Sequence, residues 1–253
     1  MKKIFTLLAL TITFSMNAQV STNSTSPTGI YASAMGNGTT ASGNESTAMG
    51  YDTTASGEAS TAMGYKTTAS AQGSTAMGKL TTASDFASVV IGQYNSSGSS
   101  ATSANSFSTS APAFVIGNGT ASNAKSDAFK VMFNGDATVS NDLTVSGDVV
   151  ISSDARLKSN IVSLGSTLSK LLQIDGKSYE MKGKQKIGVL AQEIQEVFPE
   201  LVSEDDNEML AVNYQGLVPV LINALKEQQS EIETYRDEVS ELREMVQELA
   251  SRD

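Results

Sequence analysis

The sequence predicts a mainly β, fibrous N-terminal region followed by an α+β domain that ends in a long coiled-coil helix. Three observations carry this expectation. Gly36, Gly50, Gly64, Gly78 and Gly92 recur every 14 residues without drift, each preceded by Met35, Met49, Met63, Met77 or Ile91. The composition then changes at Ser153: 11 of the 15 Lys and Arg that follow residue 18, and 19 of the 27 acids, lie in the last 101 residues. Finally, the seam Leu221, Leu225, Gln228, Ile232, Tyr235, Val239, Leu242, Val246 and Leu249 advances in alternating steps of four and three.

The first element is a leader. Lys2-Lys3, an apolar run from Ile4 to Phe14 and Met16-Asn17-Ala18 follow the charge, apolar and small-residue order of a secretory signal, with cleavage expected after Ala18. The run is shorter than the roughly 18 apolar residues that cross a bilayer. The expected mature chain is therefore exported, secreted or held at the cell surface, with no membrane span, and residues 19–30 are read as a flexible lead-in. Over 253 residues, 17 Lys plus Arg against 27 Asp plus Glu leave a net charge of −10, which disfavours nucleic acid as a partner. The absence of histidine excludes Ser-His catalysis and His-ligated metals, and the absence of cysteine excludes disulfides and thiolate chemistry. No cofactor and no metal are expected; chemistry is left to hydroxyls, carboxylates, lysines and backbone.

Between Ser21 and Thr120, 37 of 100 residues are Ser or Thr and 29 are Ala or Gly, a composition that alone reads as linker. The strict phase overrides it. The unit is Ser-Thr-Ala-Met-Gly, two variable residues, Thr-Thr-Ala-Ser and a few loose positions, as in Ser46 to Glu58. Fourteen residues are too few for a helical hairpin but suit one turn of a narrow β-solenoid, each turn adding about 4.8 Å. Strand alternation places Ser46, Ala48 and Gly50 toward a tight lumen, and Thr47 and Met49 outward, so the methionines form an apolar ridge that a second copy could cover. Across residues 31–95 the repeat resembles the head of trimeric autotransporter adhesins, Ala87-Ser88-Val89-Val90-Ile91-Gly92 coming closest to the adhesin strand. The resemblance implies a left-handed parallel β-roll, a homotrimer and an adhesive role with an unknown surface ligand; membrane anchoring is not carried over.

Residues 96–152 read as neck and β-stalk. A Ser-rich stretch without period runs from Asn95 to Pro112. Phe114-Val115-Ile116-Gly117 then repeats the strand cadence, and Phe129, Val131, Phe133, Val139, Leu143, Val145, Val149 and Ile151 alternate around the turns Asn134-Gly135, Asn141-Asp142 and Gly147-Asp148.

The domain at 153–253 opens with Ser153-Asp154-Ala155-Arg156-Leu157-Lys158. A helix is expected near Leu164 to Leu172, a turn at Asp175-Gly176, a strand from Ser178 to Met181 and a helix from Leu190 to Val197 that stops before Pro199. A serine and a lysine five residues apart mean little in a Ser-rich chain. Gly188-Val189-Leu190-Ala191-Gln192-Glu193, Val197-Phe198-Pro199-Glu200-Leu201 and Val212-Asn213-Tyr214, in that order, add weight. With them the segment resembles the C-terminal intramolecular chaperone domain of phage tail spikes and endosialidases. That family assists assembly of a trimeric β-fibre and then cuts itself free with a Ser-Lys dyad. The resemblance assigns Ser153 as nucleophile and Lys158 as general base, with the cut between Ser152 and Ser153. The chemistry is coherent, because a seryl hydroxyl beside its own upstream carbonyl lacks only a base, and a lysine serves as one where burial or neighbouring cations favour its neutral form. Arg156 would help and Asp154 would oppose; a surface salt bridge between the two is the favoured reading.

The helix at 217–251 is read as a parallel coiled coil. Glu231 with Arg236, and Glu238 with Arg243, take the g and following e positions. A bundle of local contacts could align three chains before near-identical β turns pair out of register. The resulting expectation is an exported homotrimeric fibre with a self-cutting chaperone. Its rivals are the same fibre with an uncleaved C-terminal clasp, a trans-acting glycan hydrolase and a phage tail fibre.

Overall fold

The structure, a computed structural model, describes residues 22–205 and 208–251. The expected leader at 1–18 lies outside the described residues. The chain divides into two compact units between Val149 and Val150.

The first unit is a β-solenoid. One sheet stacks Ser33–Asn37, Thr47–Tyr51, Thr61–Tyr65, Thr75–Lys79 and Val89–Gln93 in parallel, and the second stacks the short strands Ser26–Pro27, Thr40–Ala41, Thr54–Ala55, Thr68–Ala69 and Thr82–Ala83. Register is 14 throughout: Met35 lies beside Met49, Met49 beside Met63 and Met63 beside Met77. Thr22–Asn23 pairs with Gly36–Asn37, and Ser26–Pro27 with Thr40–Ala41, so the ladder takes in part of the segment 19–30 that the sequence assigns to a flexible lead-in.

The lumen is filled by small side chains. Ala48, Ala62, Ala76 and Val90 from the long strands, and Ala41, Ala55, Ala69 and Ala83 from the short ones, are fully buried in one cluster. Ser46, Ser60, Ser74 and Ser88 are buried too, and each hydroxyl donates to the carbonyl three residues earlier, at 2.6 to 2.8 Å. Serine is thus kept inside by a local bond that needs no water. The Thr39, Thr53, Thr67 and Thr81 side chains complete the lumen, and their hydroxyls have no hydrogen-bond partner. The methionines point outward as expected, and Met63 is exposed.

The glycine period has a steric cause. Gly64 has φ +128°, and a Cβ there would come within 2.1 Å of the Gly78 carbonyl oxygen in the next turn. Both the backbone angle and the close approach of successive turns require glycine.

The roll does not stop at residue 95. Pro112–Asn118 stacks in parallel on Val89–Gln93, with Ile116 beside Ile91 and Gly117 beside Gly92, so one further strand follows after an insertion of eleven residues relative to the repeat. The sheet then turns antiparallel through Asp127–Met132 and Ala137–Val139. The insertion closes the short-strand sheet. In each earlier turn the N–H of the first short-strand residue donates to the next turn's backbone carbonyl, as Ser26 does to Thr39 and Thr68 to Thr81. Thr82 N–H instead donates to Asn95 Oδ1 at 2.9 Å, while Asn95 Nδ2 donates to Thr82 O at 2.9 Å and to Ser97 O at 2.7 Å. A buried side-chain amide therefore stands where the next strand's backbone would be. Asp85, at the position that is Gly43 and Gly57 in earlier turns, accepts Thr102 and Ser103 N–H, and Asp127 accepts Ser96 and Ser97 N–H. The Ser-rich stretch is thereby pinned at two points. Beyond Val139 no strand forms before Lys177, and Leu143, Val145, Val149 and Ile151 are exposed. The alternation expected to make stalk strands there meets no neighbouring strand within the described chain.

Among its described residues the second unit holds two hairpins, Lys177–Met181 with Lys184–Gly188 and Val202–Glu204 with Leu210–Val212, and three α-helices: α1 (Leu168–Leu171), α2 (Ala191–Val197) and α3 (Leu217–Ala250). Helix α1 is shorter than the expected 164–172, whereas α2 ends before Pro199 as expected. The core is Ile194 and Phe198 against Val220 of α3, ringed by Leu171, Ile174, Val189, Leu201 and Val212. Only the start of α3 takes part. From Gln228 to Ala250 every residue is exposed, including Tyr235, Leu242, Val246 and Leu249 of the seam.

Candidate functional site

The segment that contains the expected nucleophile and base is one tight turn. Ala155–Leu157 forms a single 3₁₀ turn with Leu157 N–H donating to Asp154 O and Lys158 N–H to Ala155 O, both at 3.1 Å. Asp154 is the N-cap, and its Oδ1 accepts Arg156 N–H at 2.8 Å. The turn reverses the chain, so Lys158 lies back over Ser153 and its Nζ donates to Ser153 Oγ at 2.7 Å. The two residues named from the sequence are thus in hydrogen-bond contact, and both are exposed.

Asp154 and Arg156 form the surface ion pair that the sequence favours. The guanidinium donates from Nε to both carboxylate oxygens at 3.0 and 3.1 Å and from Nη2 to Oδ2 at 2.7 Å. The Arg156 side chain, and then its backbone N–H, hold the Asp154 carboxyl below its usual range, and the carboxylate in turn raises Arg156. Arg156 is therefore committed to Asp154 and does not contact Lys158's partner. Beyond its charge, Asp154 is the N-cap of the turn, a role that an aspartate two residues ahead of the central turn residue signals.

Chemically, the contact can move a proton. With Nζ neutral, the lysine would accept the Ser153 hydroxyl proton over a distance already suited to transfer. The carbonyl immediately upstream of that hydroxyl belongs to Ser152. Other candidates in this unit are separate. A cavity of about 620 Å³ is lined by Tyr179, Leu190, Gln192, Gln195, Met209 and Tyr214, and neither Ser153 nor Lys158 borders it. Gln192 and Glu193 do not meet the Ser153 turn either: Glu193 pairs with Lys177 at 3.1 Å and accepts Asp175 N–H. Among the described residues no cluster of three or more acids could hold a metal ion, and no helix is long and apolar enough to cross a membrane.

No curated protein matches the chain. Family models match two parts of it: two copies of the YadA head domain repeat cover residues 28–53 and 55–81, and the chaperone of endosialidase covers residues 153–203. The solenoid is thus similar to a YadA head, and the segment that begins at Ser153 and includes Lys158 is similar to the chaperone of endosialidase.

Proposed function

We propose that this chain is the precursor of an exported homotrimeric, adhesin-like fibre, whose region 153–253 assists assembly of three chains and then severs itself between Ser152 and Ser153. The observation that carries the reading is the 2.7 Å contact of Lys158 Nζ with Ser153 Oγ, at the first residues of the chaperone-like segment.

The step balances within the chain. Ser153 Oγ attacks the Ser152 carbonyl carbon while its proton passes to neutral Lys158 Nζ. The carbon–nitrogen bond to Ser153 then breaks, and the departing amine takes that proton back. The ester left between Ser152 and Ser153 Oγ is hydrolysed by water, which frees a carboxylate and restores the hydroxyl. In the single chain Lys158 is exposed to water. Packing of two further copies around the turn would remove water and favour the neutral amine, so that assembly itself enables the cut.

Two features support the assembly half. The outer α3 seam offers apolar residues that nothing among the described residues covers, and a helix draws most of its stability in water from packing such a face. The exposed run from Leu143 to Ile151 is likewise a strand sequence without a strand partner. Export rests on the leader-like residues 1–18. Removal of the chaperone would leave a fibre that cannot retrace its folding route, a kinetic durability suited to a chain without disulfides.

The test is the intact mass of the exported product beside that of Ser153→Ala. The reading expects pieces of 134 residues (19–152) and 101 residues (153–253) from the parent and a single uncut chain from the variant. A parent that stays whole would leave the C-terminal region as a permanent clasp.

A further inference from the structure

We infer that Asp154 is a positioning residue for the cut: its carboxylate closes the turn that brings Lys158 onto Ser153. The inference rests on the reading of Ser153 and Lys158 as the cutting pair.

Five residues of extended chain span about 17 Å. A lysine side chain cannot bridge that, so contact between Nζ and Oγ requires the chain to double back. The turn that doubles it back is only three residues long, contains no buried side chain and has two backbone hydrogen bonds. A single 3₁₀ turn with no packing is marginal by itself. What distinguishes this one is the Asp154 carboxylate, which binds the Arg156 backbone N–H and two nitrogens of the same residue's guanidinium. One side chain thus ties both the main chain and the side chain at the centre of the turn. Its own backbone, at φ −63° and ψ 133°, is still extended, so Asp154 is the hinge at which the chain leaves the direction of Ser152–Ser153 and begins to curl.

The two contributions can be separated by substitution. Asp154→Asn keeps an oxygen that can accept Arg156 N–H and removes the charge. Asp154→Ser keeps a shorter cap of the same kind, and Asp154→Ala removes cap and ion pair together. The experiment follows release of the 101-residue fragment from the full-length chain after pulse labelling, in the parent, the three Asp154 variants and Ser153→Ala, with native mass measured for each. Expected are a loss of at least tenfold in cutting rate for Asp154→Ala, rates within about threefold of the parent for Asp154→Asn, an intermediate rate for Asp154→Ser, and the same number of chains per particle throughout. Cutting by Asp154→Ala at the parent rate overturns the inference and leaves the cutting pair intact. Cutting by Asp154→Asn and Asp154→Ser as slow as by Asp154→Ala overturns it as well, and so does an Asp154→Ala chain that fails to assemble, because the residue would then serve the fold. A parent that never cuts removes the reading on which the inference stands.

Discussion

Lys158 donates its Nζ to Ser153 Oγ at 2.7 Å, five residues back along the chain and on the same exposed turn. That contact sets the first prediction. A base must accept a proton and a guanidinium stays protonated, so cutting should fall at least about 100-fold in Lys158→Arg, which keeps the charge and roughly the length. Gel or mass quantification of the 101-residue fragment checks it. Cutting by Lys158→Arg at the parent rate would remove lysine from the chemistry.

The second prediction concerns the lumen. Thr53 and Thr67 are fully buried and their hydroxyls have no partner, whereas the neighbouring serines each reach a carbonyl. A buried orphan hydroxyl costs roughly 1–3 kcal/mol, and valine has nearly the same shape without it. Thr53→Val should therefore raise the thermal midpoint of the solenoid, and Thr53→Val with Thr67→Val should raise it further. Calorimetry on the full chain measures this; a lower midpoint would mean that the hydroxyls are bonded.

The third concerns the end of the short-strand sheet. Asn95 replaces a whole strand's worth of bonding at Thr82 with one side chain. Asn95→Ala should orphan the Thr82 N–H and C=O, lower stability by roughly 2–4 kcal/mol for two lost partners and speed amide exchange at Thr82 well above that at Thr68. Exchange read residue by residue decides it. Equal protection at the two amides would show that the edge closes without Asn95.

The fourth is a pH dependence. Glu227 of α3 accepts Ser166 Oγ at 2.6 Å and the N–H groups of Thr167 and Leu168, and so caps α1 from 60 residues away. The Ser166 hydroxyl first, and then the Thr167 N–H, hold the Glu227 carboxyl below the ordinary glutamate value. A lowered folded-state value means that the stabilisation is complete above the ordinary glutamate value and is lost as pH falls through the folded one. Acid should therefore release α1 from α3, and Glu227→Gln should show a weakened α1 at neutral pH without that acid step. Amide signals of Thr167 and Leu168 followed by NMR report it; identical acid titrations in parent and variant would contradict it.

Some features were open to sequence reasoning and others were not, for physical reasons. The 14-residue period and the inward row of Ser46 and Ala48 are legible because each turn repeats the same steric problem, a lumen that admits only small side chains and a glycine facing the next turn's carbonyl. The Ser153 and Lys158 pair is legible as a spacing within known motifs, and the turn that joins them is local. The closure by Asn95 and Asp85 is not, since it links side chains to backbone 13 to 18 residues away in a stretch without period. The bond from Thr167 to Glu227 spans 60 residues and carries no pattern at all. Helix α1 came out at four residues because its cap is supplied from α3, while the residues before Thr167 stay irregular. The apolar alternation from Leu143 to Ile151 reads as strand, and strand formation needs a partner that one chain does not supply.

Everything proposed about cutting depends on three chains closing around the turn at Ser153, and native mass of the uncut Ser153→Ala protein addresses that claim with the fewest intermediaries. At micromolar concentration the account predicts a species of three chains. It also predicts that charged substitutions at Val239 and Leu242 break that species down to one chain. A folded Ser153→Ala protein that stays a single chain at every concentration would contradict it.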